Sequence, residues 1–363
     1  MMYSCSSGGG GGIVARPAGR PNGSVTVDIH CHVHTPAADE LIADKTPLAS
    51  ESIVKFATEE TNALNREMLA GIRDKLIDPK ARLADMARLG IDVQAISPAP
   101  FQYYYWTNPE VGRATARCVN DRLAEIAAED PQHFVAMGTV PLQNTEMAIE
   151  ELTRMVTKLG MRGVEINSNV NGEELSIDRL RPFWAKVEEL GVLVFMHPMG
   201  FTEGQRLTDH YLNNLVGQPL ESTLAISHLI FGGVLDAHPG LKICIAHGGG
   251  FLPMYGGRMG HAYRARSDCR HGVTKEPSEY LKQLFFDTVV FDPDHLAYLT
   301  KRYGADHLML GTDYPYDMAE PDPVAFINGT TALDENQKAK ICGGNAARLL
   351  GIRQKAQGDA AKV

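Results

Sequence analysis

The sequence predicts an α/β protein of the TIM type, a (β/α)8 barrel with an insertion after its first strand. Three observations lead there. From residue 25 onward, eight short β-rich runs alternate with segments of helical periodicity. Strands separated by helices pair in parallel through right-handed crossovers, and eight such units suggest closure into a barrel. The C-terminal ends of four runs carry histidine or aspartate, where the catalytic groups of such barrels sit. An open doubly wound sheet is the competing architecture, but the G-x-G-x-x-G turn expected after its first strand is absent.

The predicted strands are Val25–Ile29, Val93–Ser97, Phe134–Leu142, Gly163–Asn167, Val192–Met196, Lys242–Ala246, Leu284–Val290 and Leu308–Gly311. Between them, Pro109–Glu129 places apolar residues at 111, 114, 118, 119, 123 and 126, close to a 3.6 period. Asn144–Leu159 and Ile177–Leu190 are similar, and each runs through a glycine into the next strand, as a helix C′ residue does. Leu220–Ala237 precedes the sixth strand, Asp294–Tyr303 the eighth, and Asp334–Leu350 closes the chain with helices. Residues 35–92 are expected to form a partly helical insertion over the barrel mouth. Residues 25–352 then make one barrel domain, between a disordered Gly-rich tail (1–24) and a C-terminal tail (353–363). The N-terminal stretch has no apolar core and does not read as a secretory signal.

Composition narrows the partners. The chain has 363 residues, 44% of them hydrophobic, and a formal net charge of −9. A nucleic-acid groove or a site for an anionic membrane surface needs the opposite balance. No run of 18 apolar residues is present, so no membrane span is expected. The expected partner is a small molecule. The six cysteines are scattered without a C-x-x-C pair and read as reduced thiols of a cytoplasmic protein.

The chemistry gathers at the strand ends. His30 and His32 lie two apart, a spacing that turns both imidazoles to one face of a strand. His197 follows the fifth run and Asp313 the eighth. Three imidazoles and a carboxylate suit a divalent metal, zinc first and manganese second. His247 follows the sixth run and precedes three glycines, which let backbone approach a ligand closely. Near neutrality a histidine serves as general acid or base; a fifth metal ligand is the other role open to it. Asp313 can shuttle a proton while ligating. His34 is expected in the loop beside the site and Cys31 in packing. His228, His238 and His261 are expected to be structural.

The motifs D-I-H-x-H (28–32), D-P-x-x-R-L-x-D-M (78–86), F-x-H-P (195–198), G-G-V (232–234), A-H-G-G-G (246–250) and G-T-D-Y-P (311–315) resemble those of the amidohydrolase superfamily. More closely they resemble its 2-amino-3-carboxymuconate-6-semialdehyde decarboxylase-like branch, from about Val25 to Leu350. The resemblance implies that His30, His32, His197 and Asp313 hold one metal and that His247 is catalytic. It also implies that Arg258 binds a substrate carboxylate in the neighbouring subunit's site, which makes the enzyme a homodimer or higher homo-oligomer. The branch's decarboxylase has Trp where this chain has Met199. Its second carboxylate-binding arginine falls by spacing near Ala70, with Arg66 and Arg73 as neighbours. These departures point away from the namesake semialdehyde and toward a related unsaturated or aromatic carboxylic acid.

The expected reaction is metal-dependent, non-oxidative decarboxylation without an organic cofactor. The alternative is hydrolysis or hydration of a lactone, amide or conjugated acid at the same site. Residues 163–169 hold no lysine to bridge two metals, and Gly200 stands where deaminases of this fold carry Glu. Both absences favour decarboxylation. A non-catalytic metal-binding barrel would have lost a ligand or the strand-six histidine, and none is missing. Glu165, in the fourth run, is expected to be structural.

Overall fold

The computed structural model describes residues 24–42 and 51–352. The expected tails lie outside the described residues, Ser24 apart. Eight strands form one parallel sheet in sequential order: β1 (Val27–Val33), β2 (Val93–Pro98), β3 (Phe134–Gly138), β4 (Gly163–Ile166), β5 (Leu193–Met196), β6 (Lys242–Ile245), β7 (Phe285–Asp287) and β8 (Leu308–Met309). The sheet closes on itself. The Ile29 and His32 amides donate to the Leu310 and Tyr314 carbonyls, each at 2.9 Å. Helices including Pro109–Glu129, Thr145–Thr157, Arg181–Leu190 and Pro293–Tyr303 separate the strands, giving the TIM-type barrel that the alternation predicts.

The helix starts follow from short polar side chains. Asn108, Asn144 and Asp292 each accept a hydrogen bond from a backbone amide of the first turn. Gly191, at φ 62°, ends Arg181–Leu190 in the left-handed cap that its position predicts. The segment predicted as one helix over Leu220–Ala237 instead breaks at Gly232–Gly233. Gly233 sits at φ 76°, and a Cβ there would meet the Gly272 carbonyl oxygen at 2.5 Å. The closing helical segment is likewise interrupted, by a π turn over Lys340–Gly344.

β1 runs four residues further than predicted, and its register explains how it serves both core and site. Two residues, Ile29 and His30, oppose the single residue Ala95 of β2. Such a bulge changes the alternation of the strand once. Val27 and Ile29 join the cluster inside the barrel with Met137, Leu193 and Phe195. Beyond the bulge, Cys31 and Val33 pack outward against the helices, and His30 and His32 turn inward.

The insertion after β1 is helical: Pro36–Glu40, Ser52–Lys55, Glu59–Ile77 and Pro79–Leu89. Asp78 separates the last two, its carboxylate accepting from the Lys80 amide ahead of Pro79 at the first helical position. Arg82 then reaches into the protein from the last helix. Its guanidinium donates to the His32 carbonyl at 2.5 Å and to Gln94 Oε1 at 2.9 Å, tying the insertion to β1 and β2.

Candidate metal centre

The C-terminal mouth of the barrel brings His30, His32, His197 and Asp313 together. One ligand atom from each lies within 4.8 Å of the others, and all four residues are buried. The imidazoles are aimed by their outer nitrogens. His30 Nδ1 lies 2.6 Å from Asp287 Oδ2, and His32 Nδ1 lies 3.0 Å from the Pro98 carbonyl oxygen. Each acceptor holds the Nδ1 proton, so Nε2 is the ring nitrogen that faces inward. Those two Nε2 atoms and both ring nitrogens of His197 are buried without hydrogen-bond partners. Buried polar atoms are rarely left so. One such nitrogen from each histidine, beside the Asp313 carboxylate, fits a divalent cation, with Asp313 Oδ1 3.3 Å from Nε2 of both His30 and His32.

The electrostatics agree. Burial, together with the neighbouring His247, His30 and His32, holds His197 well below the usual imidazole range. It is therefore neutral and free to ligate. Burial would raise the Asp313 carboxyl, but the adjacent imidazoles of His30, His247 and His32 hold it well below the usual range. Burial would also strip the proton from His30, yet Asp313 and Asp287 together outweigh burial and lift it to about 10.

His247 stands at the edge of this cluster. Its Nε2 is 3.8 Å from Asp313 Oδ2, and its ring centroid is 5.0 Å from that of His197. His247 and Asp313 have φ of 57° and 63°. Left-handed backbone at two non-glycine residues in one site is strain that the surroundings hold in place. The three glycines after His247 all have positive φ, and their close approach is to protein. Added Cβ atoms would meet Val290 at 2.4 Å, Phe286 at 2.5 Å and the Pro219 carbonyl oxygen at 2.3 Å. Only Gly250 of the three lines the cavity above the site.

That cavity has a volume of about 1200 Å³. His197, His247 and Asp313 form part of its lining, which is largely apolar. The insertion supplies a wall that includes Arg66, Ala70 and Arg73, so the arginines flanking the position near Ala70 both face the pocket. Arg258 does not. It lies on an exposed part of the helix Leu252–Ala265, outside the cavity of its own chain. His34 also lines the cavity, with Nε2 2.6 Å from Asp39 Oδ2. Cys31 is packed as expected, its Sγ 3.6 Å from the Ala95 carbonyl oxygen.

Sequence reasoning did not single out Asp287. Its signal was an aspartate directly after two phenylalanines, inside the predicted run Leu284–Val290. Glu165, whose facing the sequence leaves open, is fully buried. It accepts from the Tyr103 hydroxyl, and its Oε2 lies 3.8 Å from His32 Nδ1.

A closed parallel barrel with three histidines and an aspartate converging at its C-terminal mouth defines a class, the metal-centred TIM-barrel enzymes. Residues 27–352 match the family model described as Amidohydrolase, and the chain belongs to that family. It is 38% identical over 276 residues to the 2-amino-3-carboxymuconate-6-semialdehyde decarboxylase of Dictyostelium discoideum, covering 76% of this chain and 77% of that one. It is 31% identical over 260 residues to the gamma-resorcylate decarboxylase of Rhodococcus jostii, covering 66% and 78%. The structure of 5-carboxyvanillate decarboxylase from Sphingomonas paucimobilis superposes with a TM-score of 0.82 at 25% identity, over 91% of this chain and 99% of that one. Within its family the chain is a carboxy-lyase of the decarboxylase branch.

Proposed function

We propose that the chain removes CO2 from an unsaturated or aromatic carboxylic acid at a single divalent metal held by His30, His32, His197 and Asp313. The observation that carries this is the set of buried, unpartnered imidazole nitrogens clustered with Asp313 in the wall of a large, mostly apolar cavity. When bound, the metal supplies Lewis-acid stabilisation of charge developing on the substrate's oxygens. Zinc is the metal proposed, because neutral imidazoles and a carboxylate suit it and nitrogen donors favour it over manganese.

The protein's own groups do the rest. Arg66 or Arg73, in the insertion wall, binds a carboxylate or phenolate oxygen as a planar, charged donor. Arg258, exposed on its helix, does so for the adjoining subunit of a homodimer. As the C–C bond to the carboxylate breaks, CO2 leaves and the electron pair stays on the carbon. His247 delivers a proton to that carbon, and Asp313 beside it orients the imidazolium. The electrons never leave the substrate, so the reaction balances without an organic cofactor.

Among the described residues no helix is long and apolar enough to cross a membrane, and Cys31, Cys118, Cys244, Cys269 and Cys342 are unpaired. The unpaired cysteines are the basis for proposing a cytoplasmic location.

The test is product mass spectrometry after mixing metal-loaded protein with a panel of unsaturated and aromatic acids, lactones and amides. A product lighter by one CO2 is expected. Products formed only by adding water would replace decarboxylation with hydrolysis or hydration. Metal analysis of the purified protein that found manganese would change the ion and leave the ligands.

A further inference from the structure

The cavity is far larger than the reaction needs. A dry cavity of about 150 Å³ is enough to hold benzene, and drug-sized ligands occupy pockets of about 300–1,000 Å³. Here the volume is about 1200 Å³. The lining is mostly apolar, although Asn62, Asn65, Asn214, Gln218 and Asp317 also contribute to it. His197, His247 and Asp313 lie together at the barrel mouth, and Arg66 and Arg73 on the insertion helix. Much of the remaining lining is apolar and comes from separate parts of the chain. Ile53 and Val54 come from the helix Ser52–Lys55, and Met68 and Leu69 from Glu59–Ile77. Phe101 and Trp106 follow β2, Met199 follows β5, and Val289 and Val290 follow β7. Ile53, Val54, Met68, Leu69 and Trp106 are half-buried, and Met199 and Val289 are buried. An apolar occupant would take these side chains out of contact with water, which is favourable in proportion to the apolar area covered.

We infer that the acid this site decarboxylates carries a long apolar substituent, an alkyl or prenyl-like arm that lies between the insertion and the Met199 and Val289–Val290 walls. The inference rests on the decarboxylase reading for the head of the substrate and adds the chemistry of its tail. The carboxylate and its neighbouring oxygens meet the metal ligands, His247 and the arginines. The arm fills the apolar remainder. Each methylene moved from water into such a wall tightens binding by a factor of about four.

The probes are salicylic acids with a methyl or a pentyl group at ring position 4, 5 or 6. They are added to the metal-loaded full-length protein. Binding is read by quenching of tryptophan fluorescence. The chain has two tryptophans; Trp106 lines the cavity and Trp184 lies in the outer core. CO2 release is measured in parallel. At least one pentyl acid is expected to bind ten-fold or more tighter than its methyl counterpart. Val54→Phe and Met199→Phe, which narrow the apolar part, are each expected to shrink that ratio several-fold. Val54 is half-buried, so its variant tests the idea even if Met199→Phe fails to fold. Methyl and pentyl acids binding within two-fold of each other would overturn the inference. So would a pentyl preference that Val54→Phe leaves intact, since the arm would then lie elsewhere. A pentyl preference that the variants abolish, without CO2 from any acid, would keep the apolar arm and refute the decarboxylase reading instead.

Discussion

Asp287 Oδ2 lies 2.6 Å from His30 Nδ1, and both side chains are fully buried. The carboxylate also accepts from the amides of Gly248 at 2.8 Å and Val289 at 3.2 Å. One side chain at the end of β7 thus aims the His30 imidazole and braces the turn that carries His247. Replacing it with Asn keeps an oxygen for the Gly248 amide but removes the charge from His30. Asp287→Asn is expected to weaken metal binding about 10–100-fold, the usual effect of losing such a partner. Competition with a chromophoric chelator measures it, and an affinity unchanged within two-fold would refute the role.

His247 separates two roles by a simple double readout. As the proton donor it should be dispensable for the metal and essential for turnover. His247→Ala is expected to cut kcat by about 10²–10⁴ while the metal stays at one per chain by elemental analysis. Loss of the metal together with activity would make His247 a fifth ligand.

Metal binding should depend on pH in a direction set by His30. Asp313 and Asp287 raise its pKa from 6.5 to about 10 against the opposing effect of burial. Between those values the metal-free folded protein holds a proton on His30 that an unfolded chain does not. The stabilisation this gives the metal-free fold is complete below pH 6.5 and is lost as pH rises through about 10. The metal must displace the same proton, whereas His197 is already neutral. Apparent affinity is therefore expected to rise about ten-fold per pH unit across neutrality, with about one proton released per metal. Calorimetry in buffers of different ionisation enthalpy counts that proton. A release of zero would show that His30 is neutral before the metal arrives.

Arg82 is expected to matter for stability more than for chemistry. It is 1% exposed and donates to the His32 and Lys75 carbonyls and to Gln94, with its guanidinium 4.9 Å from the Tyr314 ring centroid. Arg82→Met keeps the length but leaves buried acceptors without a donor, at about 1–3 kcal/mol for each. A loss of about 2–4 kcal/mol in denaturant unfolding is expected. A loss under 0.5 kcal/mol would mean that water replaces the guanidinium.

The barrel and the cluster of His30, His32, His197 and Asp313 at its mouth were legible because each rests on local pattern. Periodicity marked the strands, and a polar residue closing an apolar run marked His197 and Asp313. The pair His30 and His32 was read correctly as facing one way, but the bulge that turns them inward was invisible. Nothing in V-T-V-D-I-H-C-H says that Ile29 and His30 share one partner on β2. Asp287 was passed over because the predicted seventh run continues as one strand through Val290, which puts the aspartate in its middle, whereas the strand ends at Asp287. The placement of Arg66 and Arg73 was also hidden. It depends on how the helix Glu59–Ile77 lies over the mouth, a tertiary fact that no spacing encodes.

Arg258 provides the test of assembly. It is exposed and lies outside the cavity of its own chain. Along the same helix, Met254 and Tyr255 are 47% and 64% exposed, with Phe251 just before it at 40%. Phe251 also lines the cavity, and the exposed apolar Met254 and Tyr255 would suit a contact with another chain. Under the proposed dimer, each site takes its metal ligands from one subunit and Arg258 from the other. Arg258→Ala and His197→Ala should each be inactive or nearly so as pure proteins. A mixed dimer carries one site with both residues intact, because the His197→Ala subunit donates its Arg258 to the intact metal site of its partner. At equal proportions and random exchange, half of the dimers are mixed and each has one good site of two. Activity is expected to recover to about a quarter of wild type. Recovery after verified subunit exchange would establish the shared site. No recovery, with exchange shown by mass spectrometry of the mixed species, would confine Arg258 to a role outside the partner's pocket.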